Sequence, residues 1–427
     1  MKPLLTVALF LLCWSITATF AAEGNNWRGP NAYKPNQIDG YLSAGISSME
    51  SRDYSAAEKQ FSKALQAVKV NHGIKSSQQV LPLSLLIRAQ MGHRNWRTIN
   101  QQLAHFEWLN SEIYKSDFDS YLTGTDTLAT LYLQAAADPL NPQAAHYLLS
   151  AKNITWNAIS AIENRYDKQS PLLSPWLYKI VLSHFYQSGL VKRRGMTSYD
   201  YKSDGAELVN GWSLSKGEYQ NKSLNIGREL LTRIREIESK QNNAESAALA
   251  IVYSGDWELL FGDESAATRL YKQGYQSLIE SGLSTEIANT FFDRPVILPQ
   301  VELLSSVAEF QRRHLANSNV LFNAWSPNFP AAKLPEFMNG NTEPSPSFHA
   351  TVFFDRSLDA TATIELSTHL QPQQMSLLAQ ARKKLQEDIA TLTFRPKIDN
   401  GELVPRTKIA VDYFYSPTVE PAILSSQ

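Results

Sequence analysis

The stretch YLSAGISSMESRDYSAAEKQFSKAL, which runs from Tyr41 to Leu65, decides the fold that we predict for this chain. Its apolar side chains recur at intervals of three and four residues, a spacing typical of amphipathic helices. The polar residues Ser51-Arg52-Asp53 interrupt that spacing. They predict a turn between two helices that together cover Asp39–Leu65. The sequence Ser55-Ala56-Ala57-Glu58 has the form of a capping box, and we place the start of the second helix there.

Small and aromatic residues within this stretch predict how the two helices pack. Small side chains let two antiparallel helices approach closely, and aromatic rings fill the space between their turns. The residues in these positions are Tyr41, Gly45, Tyr54, Ala57, Phe61, Ala64 and Leu65. The same offsets recur at Gly255, Gly262-Asp263, Ala267, Tyr271 and Gly274. A looser third copy runs from Met91-Gly92 through Trp96, Leu103 and Phe106, with Ile99 in the position of an alanine.

This spacing resembles that of the tetratricopeptide repeat family. The resemblance implies a helical solenoid over residues 36–316, and an irregular one, because residues 112–243 match the family only in their helical character. A solenoid of this kind offers a concave surface to protein partners. In the first repeat, the residues expected to line that groove are Asp39, Leu42, Ile46 and Met49. As an apolar stripe, these residues are more typical of packing against a neighbouring helix than of binding a ligand.

Apolar periodicity predicts further helices along most of the chain. The predicted spans are Gln78–Met91, Asn95–Tyr114, Ser120–Ala136, Pro142–Asn164, Pro175–Gln187, Ser223–Ser239, Ala244–Phe261, Glu264–Glu280 and Pro299–Leu315. Residues 192–221 lack a sustained period and predict a loop insertion. Residues 326–346 hold several prolines and predict a linker, since proline cannot continue a helix.

Beyond the linker, the pattern predicts a small α+β domain at 347–416, followed by a tail at 417–427. Its predicted order is strand, strand, helix, strand, over Phe348–Phe354, Ala360–Leu366, Met375–Leu392 and Lys408–Tyr415. Phe394-Arg395-Pro396 and Asn400-Gly401, followed by the last strand, resemble the end of a TonB C-terminal domain. The resemblance implies a domain that binds a partner along a sheet edge. The fold class is therefore mainly α, with a TPR-like solenoid followed by a small α+β domain.

Residues 1–21 predict a cleaved secretory signal. Lys2 precedes the apolar run Leu4–Ile16, and Thr19-Phe20-Ala21 offers small residues for cleavage. Cys13 is the single cysteine of the chain, so the predicted mature protein has no disulfide and no thiolate chemistry. No later stretch approaches the length of an apolar membrane span. We therefore expect a periplasmic protein without a membrane span in its mature chain.

Composition and motifs point away from several kinds of chemistry. A net charge of −1 argues against a surface that binds nucleic acid throughout. The eight histidines never fall three or four residues apart, so no helix face presents a metal-binding pair. Asp256 and Glu258 flank Trp257, but residues two apart point to different faces of a helix and cannot flank one bond. We expect no catalytic residue, no metal and no cofactor.

These observations predict an exported, non-enzymatic binding or scaffolding protein of the bacterial cell envelope. Its partner is a protein that the sequence does not identify, and an envelope complex is one setting for it. The alternative is an envelope hydrolase whose site is assembled from distant residues, with loop 192–221 as its wall or lid. A third interpretation, a structural partner of a membrane transport complex, rests on the TonB resemblance alone.

Overall fold

A computed structural model describes residues 34–51, 53–138, 141, 143–194, 216–300, 302–315, 347–354, 360–364, 378–380, 382–383, 385–387, 393–404 and 407–414. The predicted signal peptide at 1–21, the linker at 326–346 and the tail at 417–427 lie outside these residues. Twelve helices lie in the described part of the chain: α1 (Ile38–Glu50), α2 (Tyr54–His72), α3 (Val80–Gly92), α4 (Trp96–Tyr114), α5 (Phe118–Ala137), α6 (Ala144–Arg165), α7 (Leu173–Arg194), α8 (Lys216–Lys240), α9 (Ala244–Leu260), α10 (Glu264–Glu280), α11 (Thr285–Phe291) and α12 (Val307–Leu315).

Short strands accompany the last helices and follow them. Their bounds are β1 (Val296–Leu298), β2 (Ser347–Phe354), β3 (Ala360–Ile364), β4 (Thr393–Arg395), β5 (Ile398–Asp399), β6 (Glu402–Leu403) and β7 (Thr407–Phe414). Strand β2 lies between β3 and β7 in an antiparallel sheet, and β5 pairs with β6. The described residues between 378 and 387 are helical, as predicted. The mainly α class is confirmed.

Most predicted helices are confirmed, because their apolar periodicity is local and strong. The last one is wrong over its first half: Pro299–Leu315 was expected to be helical, but α12 begins only at Val307. The segment before α12 is held by buried tyrosines instead of forming a helix. The backbone carbonyl of Gln300, for example, accepts a hydrogen bond from the Tyr178 hydroxyl at 2.7 Å. Helix α11 and strand β1 were not predicted.

The loop predicted at 192–221 also needs correction at both ends. Helix α7 continues to Arg194 and α8 begins at Lys216, so only residues 195–215 of the predicted loop fall outside described helices. The sequence Lys192-Arg193-Arg194 extends α7, because lysine and arginine are good helix formers and are favourable near a helix C-terminus.

Several helix-to-helix turns share one local structure. The residue before the second helix is Asp or Asn, and its side chain accepts a hydrogen bond from the N–H three residues later. These N-caps are Asp53, Asn95, Asn243 and Asp263. The N–H of each N-cap also returns to the carbonyl five residues earlier, at 2.8–3.4 Å. The turn thus satisfies backbone groups at both helix ends. Helix α2 is capped by Asp53, so the capping box predicted at Ser55 is wrong.

The chain divides into two compact units, Met1–Gly124 and Thr125–Gln427. In the first unit, α1 packs on α2, α2 on α3 and α3 on α4. The core of this unit is built from small and large apolar residues on facing helices. Its most deeply buried members include Ala57, Phe61, Ala64, Leu83, Ile87, Leu103 and Phe106.

In the second unit, α6 to α10 pack in sequence, each on the next. Helix α9 is the most completely buried, because 13 of its 17 residues are buried. A helix buried around most of its circumference needs cover on every side. Helices α8 and α10 cover two sides, and β4 contacts α9 as well.

Candidate functional site

The predicted groove residues of the first repeat lie along α1. Asp39 is exposed, Leu42 and Ile46 are half-buried, and Met49 is buried. Leu42 and Ile46 therefore keep part of their apolar surface accessible, while Met49 belongs to the core. The four residues fall on one side of the helix, as their spacing of three and four predicts.

The predicted packing residues of the first repeat meet between α1 and α2. A Cβ atom on Gly45 would lie 2.4 Å from the ring of Phe61, so only glycine fits there. Ala57, Phe61 and Ala64 are fully buried. Leu65 is buried as well, and Tyr41 and Tyr54 lie at the edge of this contact. Tyr41 Oη donates to Gln37 at 3.1 Å, and the ring of Tyr54 lies under Gly92 of α3.

The second copy of the pattern has the same geometry in α9 and α10. A Cβ atom on Gly255 would lie 2.7 Å from the ring of Tyr271, and Ala267 and Tyr271 are buried. Asp256 follows Gly255 as Ile46 follows Gly45. Asp256 thus occupies, in this helix pair, the position expected to line the groove. Only 3% of its surface is exposed.

Asp256 binds the guanidinium group of Arg395, which comes from strand β4. Nε of Arg395 donates to Oδ1 at 2.8 Å, and Nη2 donates to Oδ2 at 2.6 Å. The hydroxyl of Tyr271 donates to the same Oδ1 at 3.0 Å. This fork-to-fork arrangement is the strongest form of carboxylate–arginine pairing. Nη1 of Arg395 has no hydrogen-bond partner among the described residues.

Aromatic rings surround the ion pair. The centre of the guanidinium lies 4.8 Å from the ring of Phe291 and 5.9 Å from that of Tyr253. Burial on its own would lower the pKa of Arg395, but the Asp256 carboxylate outweighs it and the pKa is raised. Burial, and then Asp256, raises the pKa of Tyr271 well above its ordinary value. Arg395 therefore stays charged and Tyr271 stays protonated, so the hydroxyl remains a donor.

Backbone and surface contacts hold the rest of the segment 393–403 against the same helices. Strand β4 pairs antiparallel with β1, with Val296 opposite Arg395. The N–H of Ile398 donates to the carbonyl of Phe292 at 3.1 Å. At the surface, Lys272 of α10 binds Glu402 at 2.6 Å. We call residues 393–403 the docked segment.

The turn at the end of the docked segment was predicted from its sequence. Asn400 has φ +50° and Gly401 has φ +80°, and they join β5 to β6. A two-residue turn of this kind needs positive φ at both positions, which asparagine and glycine tolerate best. The predicted tight turn is confirmed.

The two carboxylates beside Trp257 bind different arginines. Glu258 accepts both hydrogen bonds from Arg228 of α8 at 2.6 Å, whereas Asp256 binds Arg395. Trp257 lies between them, with its Nε1 donating to Leu224 O at 2.9 Å and its ring against Gly227. Asp256 and Glu258 thus point to different faces, as predicted, and Trp257 fills a gap between α8 and α9.

A separate polar group lies between α6, α7 and α8. Burial, together with the ammonium groups of Lys152 and Lys222, lowers the pKa of His184 to about 3. Lys152 donates to Gln187 at 3.2 Å, and Tyr219 donates to the same side chain at 3.3 Å. The neutral imidazole of His184 is half-buried between these helices.

No family model and no curated protein matches this chain. In the part of the chain that the structure describes, no three His, Cys, Asp or Glu side chains come together as a metal site. Over the same residues, none of the helices combines the length and apolar character of a membrane span.

Arg395 is the site residue that sequence reasoning missed. Phe394-Arg395-Pro396 belongs to the motif that resembles a TonB C-terminal domain, and no residue near it in the sequence indicates that Arg395 pairs with Asp256. The sequence around Asp256 does carry a signal. Asp256 and Glu258 are charged residues in an otherwise apolar helix, and buried charges need partners.

Proposed function

We propose that this protein is an exported, non-enzymatic scaffold that binds protein partners in extended conformation on its helical array. The observation that carries the proposal is the docked segment. Its first strand, β4, lies on α9 with Arg395 bound to Asp256, at a position that corresponds to the groove side of the first helix pair. That a segment of the same chain lies there supports an extended polypeptide as the ligand of this surface.

The first helix pair supports the proposal with a second candidate surface. Ile46 occupies the position on α1 that corresponds to Asp256 on α9, and Leu42 lies one turn before it. Both side chains are half-buried. Apolar side chains at such positions suit the side chains of an extended peptide, because burial of apolar surface drives most protein association. We place the partner-binding groove of the first unit there.

A tetratricopeptide-like architecture fits this role, in an irregular form. The turn at Asp53 recurs at Asn95, a spacing of 42 residues, against about 34 in the family. The interval holds the 19-residue helix α2 and the connection 73–79 that leads to α3. We propose a solenoid related in its packing to this family but longer in its repeat.

The C-terminal strands offer a second mode of binding. Among the described residues, β3 and β7 form the two edges of their sheet, with β2 in the centre. An edge strand can pair with an extended segment of a partner. We propose that the TonB-like domain at 347–416 contributes such a contact, which would raise avidity when both sites are engaged.

Export is proposed from the signal sequence at residues 1–21. The expected location is the periplasm, and the expected mature chain begins at Ala22. Fractionation of cells that express the full chain, with N-terminal sequencing of the product, tests this. Uncleaved protein in the cytoplasmic fraction would contradict it.

Site-specific photo-crosslinking tests the binding function. A photoreactive amino acid is placed at Ile46, and in a matched control at Lys59, an exposed position on α2. We expect a discrete crosslinked protein band from position 46, absent from position 59. Either no band at 46, or the same bands at both positions, would contradict a partner groove on α1.

A further inference from the structure

The pocket around Arg395 has the chemistry of a guanidinium receptor. Asp256 supplies both carboxylate oxygens to the guanidinium, and the Tyr271 hydroxyl donates to Oδ1. The ring of Phe291 lies 4.8 Å from the guanidinium centre and Tyr253 lies further out. Lysine has neither the planar fork nor the flat face that such a pocket uses, so the pocket selects arginine.

Arg395 is among the most deeply buried residues of the docked segment, with 1% of its surface exposed. Its apolar neighbours Phe394, Pro396 and Ile398 are buried as well. Two further side-chain contacts of the segment lie at the surface: Lys272 with Glu402, and Asn289 with Asn400. Exposed pairs of this kind contribute little to binding. The segment is therefore held by a few buried groups, of which one is charged.

The docked segment comes from a distant part of the chain. Arg395 lies 139 residues after Asp256. Its β4 strand pairs with only three residues of β1. A segment with so short a ladder, attached through a distant connection, resembles a bound peptide more than an integral strand of a sheet.

We propose that the Asp256 pocket is a receptor for an arginine on an extended polypeptide, that Arg395 occupies it in the resting chain, and that an arginine-bearing segment of a partner protein replaces β4 there. The inference rests on the proposed function, for which it names the chemistry of the partner. The docked segment then acts as an intramolecular competitor that keeps this surface closed until a partner of higher affinity binds. The partner-binding groove proposed at Leu42 and Ile46 of α1 does not depend on the Asp256 pocket.

Peptide binding to the full chain tests the receptor. The probe is a fluorescent peptide of residues 391–404, TLTFRPKIDNGELV, and the receptor chain carries Arg395→Glu, which places a carboxylate against Asp256 and releases the segment. We expect this chain to bind the peptide, and the unaltered chain to bind it at least about tenfold more weakly. Replacing the peptide's arginine with alanine or lysine is expected to weaken binding by about tenfold or more.

A matched double variant shows whether Asp256 is responsible. With Asp256→Asn added to Arg395→Glu, we expect the arginine and alanine peptides to bind equally. Equal binding of the two peptides to the Arg395→Glu chain itself, or no binding by a chain whose circular dichroism is unchanged, would overturn the proposal. If that chain does not fold, Arg395→Ala with added methylguanidinium replaces it. A higher Tm of this variant with methylguanidinium than with methylammonium supports the proposal, and equal Tm values with the two cations overturn it.

One outcome identifies a different occupant. The Arg395→Glu chain keeps the Asp256 pocket but lacks the arginine that fills it. An Asp256→Asn chain keeps the arginine but lacks the carboxylate that binds it, so each variant supplies what the other lacks. If a mixture of the two forms a dimer in light scattering while neither does alone, the occupant is a second copy of this chain and a separate partner is excluded. Photo-crosslinking at Ile46 is unaffected by these variants, so failure of the receptor is distinguishable from failure of the binding function.

Discussion

Asp256 of α9 and Arg395 of β4 form a bidentate ion pair across 139 residues of sequence, with N–O distances of 2.8 and 2.6 Å. Both side chains are almost fully withdrawn from water. Charges buried in this way are tolerated only when they are paired and hydrogen-bonded. The pair therefore ties the C-terminal segment to the helices that precede it, and it determines how much of α9 stays covered.

Breaking the pair from one side should be costly. Arg395→Met keeps much of the side-chain volume but leaves the Asp256 carboxylate buried with Tyr271 as its remaining hydrogen-bond donor. We expect the free energy of unfolding of the second unit to fall by about 3–5 kcal/mol. Urea denaturation followed by circular dichroism measures this.

Two controls separate charge burial from packing. Lys272→Met removes an exposed pair with Glu402 and should cost no more than about 1 kcal/mol. The double variant Asp256→Leu with Arg395→Met should recover at least half of the loss, because no buried charge remains. Equal losses for the single and double variants would show that packing, and not charge, is responsible.

Gly255→Ala should destabilise the helix pair α9–α10. The added Cβ would lie 2.7 Å from the ring of Tyr271, which is fixed by its hydrogen bond to Asp256. We expect a loss of about 1–3 kcal/mol from overpacking. Gly40→Ala is the matched helix variant, since no atom lies within 4 Å of its Cβ position. That change should stabilise by about 0.5–1 kcal/mol, and a loss there of the same size as at Gly255 would contradict the packing argument.

Asp53→Ala should lower stability by about 1 kcal/mol, because it removes the side chain that accepts from the N–H of Ala56 at 2.9 Å. Asp53→Asn should be nearly neutral, since asparagine caps other turns of this chain. Ser55→Ala tests the capping box predicted from the sequence, and it should have almost no effect. Thermal unfolding measures all three variants, and a larger loss at Ser55 than at Asp53 would favour the capping box.

His184 should make stability depend on pH. Its pKa is about 3 in the folded chain, against 6.5 for an unburied histidine, because of burial and two nearby lysines. Between these values the unfolded state binds more protons, so stability falls as pH falls. From pH 8 to pH 5, His184 should account for a loss of about 2 kcal/mol. Urea titrations of His184→Gln should show a pH dependence flatter by that amount, whereas parallel curves would contradict the assignment.

The helices were predictable from the sequence because their signals are local. Apolar spacing located α3, α4, α9 and α10 to within a few residues, whereas α2 runs to His72, seven residues past its predicted end at Leu65. Small residues such as Gly45 and Gly255 mark the positions where two helices meet, and the structure places each against an aromatic ring. Helix bounds at α7 and α8 were less accurate, since polar residues extend both helices where no apolar period continues.

The docked segment could not be predicted, because its structure depends on contacts between distant residues. Strand β1 has three residues and gains its ladder from β4, far along the chain. The segment after it, expected to be helical, is held instead by hydrogen bonds such as Tyr253 Oη to Glu302 O at 3.0 Å. Arg395 shows no sign in its own neighbourhood that its partner is Asp256.

Hydrogen–deuterium exchange of the Arg395→Glu chain, compared with the unaltered chain, tests the central claim most directly. The claim is that the helical array holds residues 393–403 as a bound extended segment through Asp256. We expect amides of 393–399 to lose at least about tenfold more protection than amides of α9 and α10 lose. Unchanged protection at 393–399, or equal loss across α9, α10 and the segment, would contradict it.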